Sequence, residues 1–196
     1  EFRRVLFRSV AGTTDLRELV KVIQAGNLSL LMVVGLLFTI VGFGFKVAVV
    51  PFHLWAPDAY EGAPTPVTAF IATGSKVASF FVMVKILFVG FLPATGSAAW
   101  GAMTGGWTML LGVTGAASMI LGNVVAITQR NVKRLLAYSS IAHAGYIMIG
   151  FAAANQTGAT GILFYVIVYA LTNLGAFGVV AALANRTGGD DLEHFN

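Results

Sequence analysis

Three proton-carrying side chains sit inside long apolar runs of this chain: Lys46 in "GFGFKVAVV", Lys76 in "FIATGSKVASFF" and His143 in "SSIAHAGY". An ionised lysine near the centre of a bilayer costs about 2.5–3.5 kcal/mol on insertion scales, so an amine there needs a partner or a role. Burial disfavours the charged form of an amine. Lys46 and Lys76 are therefore candidates for proton exchange near neutral pH, switched by a nearby charge that moves. Histidine titrates near neutrality without help, which suits His143 as an intermediate stop. The bland readings are a lysine fixed by a carboxylate on a neighbouring helix and a hydrogen-bonded core histidine. Lys85 lies nearer the end of its segment, where its stem can snorkel to the interface.

Shortly after Lys46 the chain meets Pro51, His53, Trp55 and Pro57. Proline frees a backbone carbonyl and breaks a helix, which is tolerated at membrane depth only where the backbone is buried or lines a wet cavity. Discontinuous helices of this kind mark ion sites in transporters, so the lysine and the break read as one device. His53 belongs either to that device or to an interfacial structural role. Helical spacing places Gly35, Thr39, Gly42, Lys46 and His53 on one face, provided the helix continues that far. Thr68, Ser75, Lys76 and Ser79 form a similar stripe, as do Ser139, His143 and Tyr146, and then Tyr165, Tyr169 and Thr172. Polar stripes alone can simply glue helices together. Stripes that also hold a titratable group fit a proton relay better.

The elements that must position these residues follow from composition. Of 196 residues, 57% are hydrophobic and 10% charged, with a mean hydropathy of +0.83; soluble domains carry about 25% charged residues. The fold class is all-α, a polytopic membrane bundle of about five helices. A span needs roughly 20 apolar residues, and the runs that qualify are 28–50, broken near Pro51 with an extension to 60, then 67–91, 107–129, 135–154 and 162–184. Residues 10–27 read as a polar connector. The opening "EFRRVLFRS" has arginines but no apolar h-region, so it is no signal peptide; residues 1–9 read as a non-native scar, and the remainder as a fragment.

Net charge is +4, but the basic residues lie in short connectors rather than in a stripe, which argues against nucleic acid. Arg130, Lys133, Arg134 and Arg186 share one side, and the positive-inside rule makes that side cytoplasmic; Arg17 and Lys21 vote the other way. The chain has no cysteine, which excludes disulfides, thiolate zinc sites and iron–sulfur ligation within it. It also lacks a Gly-rich dinucleotide fingerprint, so no cofactor or metal is expected in the chain itself.

"FKVAVVPFHLWAPDAYEGAPTPVTAFIATGSKVA" and "QRNVKRLLAYSSIAHAGY" together resemble the antiporter-like subunits of proton-translocating NADH–quinone oxidoreductase, respiratory complex I. "EGAPTPVTAF" followed by "SK" points to the subunit N (subunit 2) group. The resemblance implies an inverted-repeat fold, of which this chain would hold the seventh to eleventh helices, in a multi-pass subunit of the bacterial inner membrane. Lys46 and Lys76 match the family's proton-path lysines on the seventh and eighth helices, and His143 matches its histidine. The family's partner glutamate on the fifth helix and exit lysine on the twelfth would lie outside this chain, which by itself should not pump. NADH, flavin, iron–sulfur clusters and quinone would belong to partner subunits, and the neighbours would be other membrane subunits and lipid. A multisubunit cation/proton antiporter, a membrane-bound hydrogenase arm and a structural membrane scaffold are the alternative readings.

Overall fold

The computed structural model describes residues 8, 12, 13, 15–25, 29–187 and 189–195. Apart from Arg8, the segment read as a scar lies outside the described residues, as does Leu28 at the expected start of the first span. Residues 10–27 are more than a connector. They contain a helix, α1 (Leu16–Gln24), capped by Asp15, whose carboxylate accepts from the Arg17 amide. Its Leu19 and Ile23 are buried, and Leu16 packs on Gly90. An i, i+3, i+4, i+7 apolar pattern is what lets a short polar stretch fold against a bundle.

The first long helix, α2, spans Leu30–Val47. Ser29 opens it by accepting from the Met32 amide, and Ala48 closes it in the left-handed conformation, its amide donating to the Gly44 and Phe45 carbonyls. The helix therefore stops before Pro51, and Gly35, Thr39, Gly42 and Lys46 never share a continuous face with His53. A turn carrying Pro51 leads into the half-helix α3 (Trp55–Gly62). Two tertiary bonds satisfy the broken backbone: the Val50 amide donates to Ser118 Oγ at 2.9 Å, and Trp55 Nε1 donates to the Phe45 carbonyl at 2.8 Å. Break and half-helix are thus held from both sides, as buried irregular backbone requires.

The second span, α4, runs Thr65–Gly90 and contains two π-helical stretches, Ile71–Ser75 and Ile86–Gly90. A π turn changes the angular phase of everything after it, and the first one ends directly before Lys76. Next come α5 (Trp107–Ala126), α6 (Val132–Ala153) and α7 (Gln156–Thr187). Among the described residues, five helices are long and apolar enough to cross a membrane. Among the described residues there is no strand, only the isolated bridges Ser97–Thr104 and Asn131–Asp191. Large apolar side chains such as Phe38, Phe45, Ile120, Phe164 and Leu171 are exposed on the outside, where lipid or other apolar protein must cover them.

α5 and α6 form a tight antiparallel pair because small residues face each other. Gly115 and Gly122 of α5 press on Met148, Gly145 and Ala142 of α6, so close that a Cβ on Gly122 would fall 2.7 Å from the Ala142 amide nitrogen. One core cluster gathers Met32, Phe80, Met83, Leu87, Trp107 and Phe151. A second lies under the half-helix, with Ala56, Tyr60, Ala72, Ala137, Ile141 and Phe177. At the far end of the bundle Lys133 pairs with Asp190 at 2.7 Å and donates to the Ala63 carbonyl, the C-cap of α3. Arg134 Nη1 bridges Asp58 and Glu61 of α3 at 2.7 and 2.8 Å. α3 is therefore anchored to the start of α6 by two successive cations.

Candidate functional site

Lys76 is 1% exposed, deep between α4, α6 and α7. Its Nζ donates to the Ser140 carbonyl at 3.2 Å and to the Ser140 hydroxyl. Three further groups converge there. Tyr60 of α3 places its hydroxyl 3.4 Å from Ser140 Oγ, and Tyr169 of α7 donates to Ser140 Oγ at 3.0 Å or to the Ala72 carbonyl at 3.1 Å. Ala72 sits in the π stretch that precedes Lys76. Among the described residues no carboxylate lies within ion-pairing distance of Lys76, so a buried amine is held by neutral oxygens alone.

His143 lies one turn further along α6 and is half-buried. Its Nδ1 is 2.7 Å from the Tyr165 hydroxyl, and its ring stands 5.6, 5.9 and 5.5 Å from those of Tyr146, Tyr165 and Tyr169. Tyr169 thus touches both ends of the constellation, the Ser140 hydroxyl with its own hydroxyl and the His143 imidazole with its ring. A surface groove of about 400 Å³, lined by Tyr146, Gly150, Ile162 and Tyr165 among others, opens beside the histidine.

The structure brings together only some of the residues singled out from sequence. Lys76 and His143 share one cluster. Lys46 does not join it: it is the penultimate residue of α2, exposed, with no hydrogen-bond or ion-pair partner among the described residues. The run 28–50 read as one span is cut short by the stop at Ala48, which puts Lys46 at a helix end. Ser139 is half-buried, and the hydroxyl facing Lys76 is that of the next residue, Ser140. Consecutive helical residues point about 100° apart, so the two serines cannot both meet the amine. Tyr146 lies at the rim, where it accepts from Asn123 Nδ2 at 2.9 Å. His53 is buried, but its Nδ1 has no hydrogen-bond partner among the described residues. Lys85 is exposed and lacks a partner among the described residues.

Thr68 and Ser79 are buried on the same helix as Lys76, but both bond backbone carbonyls: Thr68 that of Tyr60, Ser79 that of Ser75. They brace the helix rather than reach the amine. Tyr60 and Ser140 were missed from sequence; their hydroxyls in "PDAY" and "YSS" were the available signal, with nothing local to say where they point. Among the described residues no three His, Asp or Glu side chains converge as metal ligands would.

A bundle of five membrane-length helices, with a broken helix and an amine buried among hydroxyls, defines a polytopic membrane protein of the antiporter-like class. A family profile described as NADH:quinone oxidoreductase/Mrp antiporter, transmembrane, matches residues 4–196, and the chain belongs to that family. It is 44% identical to NADH-quinone oxidoreductase subunit N of Desulforamulus reducens over 97% of its own length and 38% of the relative's. The chain therefore spans well under half of that relative. Its structure superposes on a chain of respiratory complex I from Thermus thermophilus with a TM-score of 0.68 and 34% identity, covering 93% of this chain and 36% of that one. A chain of the Mrp complex from Dietzia shares the fold, with a TM-score of 0.83 at 22% identity, covering 97% of this chain and 33% of that one.

Proposed function

We propose that this chain works within a membrane-arm subunit of a proton-translocating NADH–quinone oxidoreductase of the bacterial inner membrane, and that Lys76 takes up and releases protons during quinone reduction. The observation that carries this reading is the uncharged surroundings of Lys76. A purely structural lysine in a low-dielectric interior would be fixed by a carboxylate, because an unpaired buried charge costs several kcal/mol. Lys76 is held by the carbonyl and hydroxyl of Ser140, with Tyr60 and Tyr169 bonded to that hydroxyl in turn, and these neutral groups tolerate either charge state. His143 and Tyr165 form the next stop, beside the groove. Lys46, presented on an open face next to the helix break, awaits a partner from elements beyond the described residues, and its movement would shift the charge balance at Lys76. NADH, flavin, iron–sulfur clusters and quinone belong to partner subunits in this reading, with neighbouring membrane subunits and lipid covering the apolar exterior.

In the assembled complex, Lys76→Ala and Lys46→Ala should each leave assembly intact and impair NADH-driven proton uptake into membrane vesicles. Normal pumping in both variants would refute the assignment. Because the fold is shared with the Mrp complex, a cation/proton antiporter is the second reading; transport that proceeds without NADH would favour it.

A further inference from the structure

Ser140 stands where one side-chain oxygen meets Lys76, Tyr60 and Tyr169. All four side chains are buried, none more than 4% exposed, so each polar group must find a partner locally. A serine hydroxyl offers one donor and two acceptor lone pairs, an ammonium three donors and no acceptor, and a neutral amine also presents a lone pair that needs a donor.

Around the Ser140 hydroxyl the same atoms allow two arrangements, each of which fills its one donor and both of its acceptor lone pairs. With Lys76 charged, its Nζ donates to the Ser140 carbonyl and hydroxyl, Tyr169 donates to the same hydroxyl oxygen, and the Ser140 hydrogen points at Tyr60. Once Lys76 is neutral, the Ser140 O–H swings onto the amine lone pair, and the hydroxyl oxygen accepts from Tyr60 in place of Lys76 while still accepting from Tyr169. The Tyr60–Ser140 contact allows either oxygen to donate. Tyr169 has the Ala72 carbonyl as a second acceptor at 3.1 Å, which keeps its hydrogen satisfied while the network rearranges. No heavy atom has to move.

We propose that Ser140 is the reversible hydrogen-bond partner of Lys76, its hydroxyl accepting from the ammonium and donating to the neutral amine, with Tyr60 and Tyr169 as its counter-donors. The inference rests on Lys76 exchanging protons. In the exchange step an N–H bond of Lys76 breaks, its electron pair stays on nitrogen and the proton passes to water; Ser140 keeps its hydrogen and only reorients it. A carboxylate in place of Ser140 could satisfy the ammonium alone, and an alanine neither form fully.

The test compares Ser140→Ala, Ser140→Thr and Ser140→Asp in the assembled complex, with Lys76→Ala as the reference. NADH-driven proton uptake, quinone reduction and native-gel assembly are measured from acid to alkaline pH. Ser140→Ala should lose about tenfold or more of its pumping, since an unmet buried polar group is strongly unfavourable, and its pH profile should change. Ser140→Thr keeps the hydroxyl and should retain pumping, whereas Ser140→Asp should assemble and not pump, its carboxylate holding the amine charged. Ser140→Ala with wild-type pumping and pH profile, or Ser140→Ala and Ser140→Thr equally impaired, would overturn the proposal. If Ser140→Ala does not assemble, the double variant Tyr60→Phe, Tyr169→Phe decides: lost pumping with assembly supports the proposal, and normal pumping, or failure of this variant to assemble as well, overturns it. Normal pumping by Lys76→Ala would sink the underlying reading of Lys76 instead, so the two failures are distinguishable.

Discussion

Replacing Gly145 by alanine tests whether the α5–α6 contact sets the position of the site. A Cβ there would lie 2.7 Å from the Gly115 carbonyl oxygen, 2.8 Å from Met119 Cγ and 2.9 Å from the Met119 amide nitrogen. Two of those atoms are backbone and cannot rotate away. Ordinary contact begins at 3.4 Å, so the two helices must part by about 0.7 Å, an overpacking strain that costs about 1–3 kcal/mol. Gly175 in α7 is the control, because nothing lies within 4 Å of its added Cβ. Both substitutions gain the same intrinsic helix propensity of about 1 kcal/mol, so the difference between them isolates the packing. Unfolding in mixed detergent micelles, followed by tryptophan fluorescence with the buried Trp107 as a core reporter, should find Gly145→Ala less stable than Gly175→Ala by that packing cost. α6 also carries Ser140 and His143, so proton pumping in the assembled complex should fall in step. Equal stability of the two variants would refute the idea that glycine contacts hold α6 in place.

Tyr165→Phe removes the hydroxyl that meets His143 Nδ1 at 2.7 Å; losing that half-buried hydrogen bond costs about 0.5–1.5 kcal/mol, and the pH profile of pumping should change, whereas an unchanged profile would show that His143 is no stop on the path. Arg134→Gln breaks two half-exposed ion pairs of modest worth, about 0–1 kcal/mol each, while Lys133→Ala also strips the buried contact with Asp190 and the Ala63 carbonyl and should destabilise more, up to about 3 kcal/mol. Unfolding at low and high salt separates them, since only the Arg134 contribution should fade on screening.

Membrane residence was legible from charge density alone, since a surface with so few charged side chains cannot be solvated. So were five spans and a break near Pro51, because apolar run length and proline chemistry are local properties.

What escaped the sequence depends on angular phase and on neighbours. Ser139 and Ser140 are equally polar and equally placed in the chain, and only the docking of α6 on α4 decides which one faces Lys76. The π stretch at Ile71–Ser75 rotates Lys76 relative to the residues before it, and nothing in "IATGS" announces that. Lys46 and Lys76 looked alike as amines in apolar runs, yet one is exposed at a helix end and the other enclosed by three helices. Run length and residue type settle which solvent a segment can face, because they sum over the segment itself. Which two side chains meet is settled by atoms far apart in the chain, through close packing that only the folded bundle supplies.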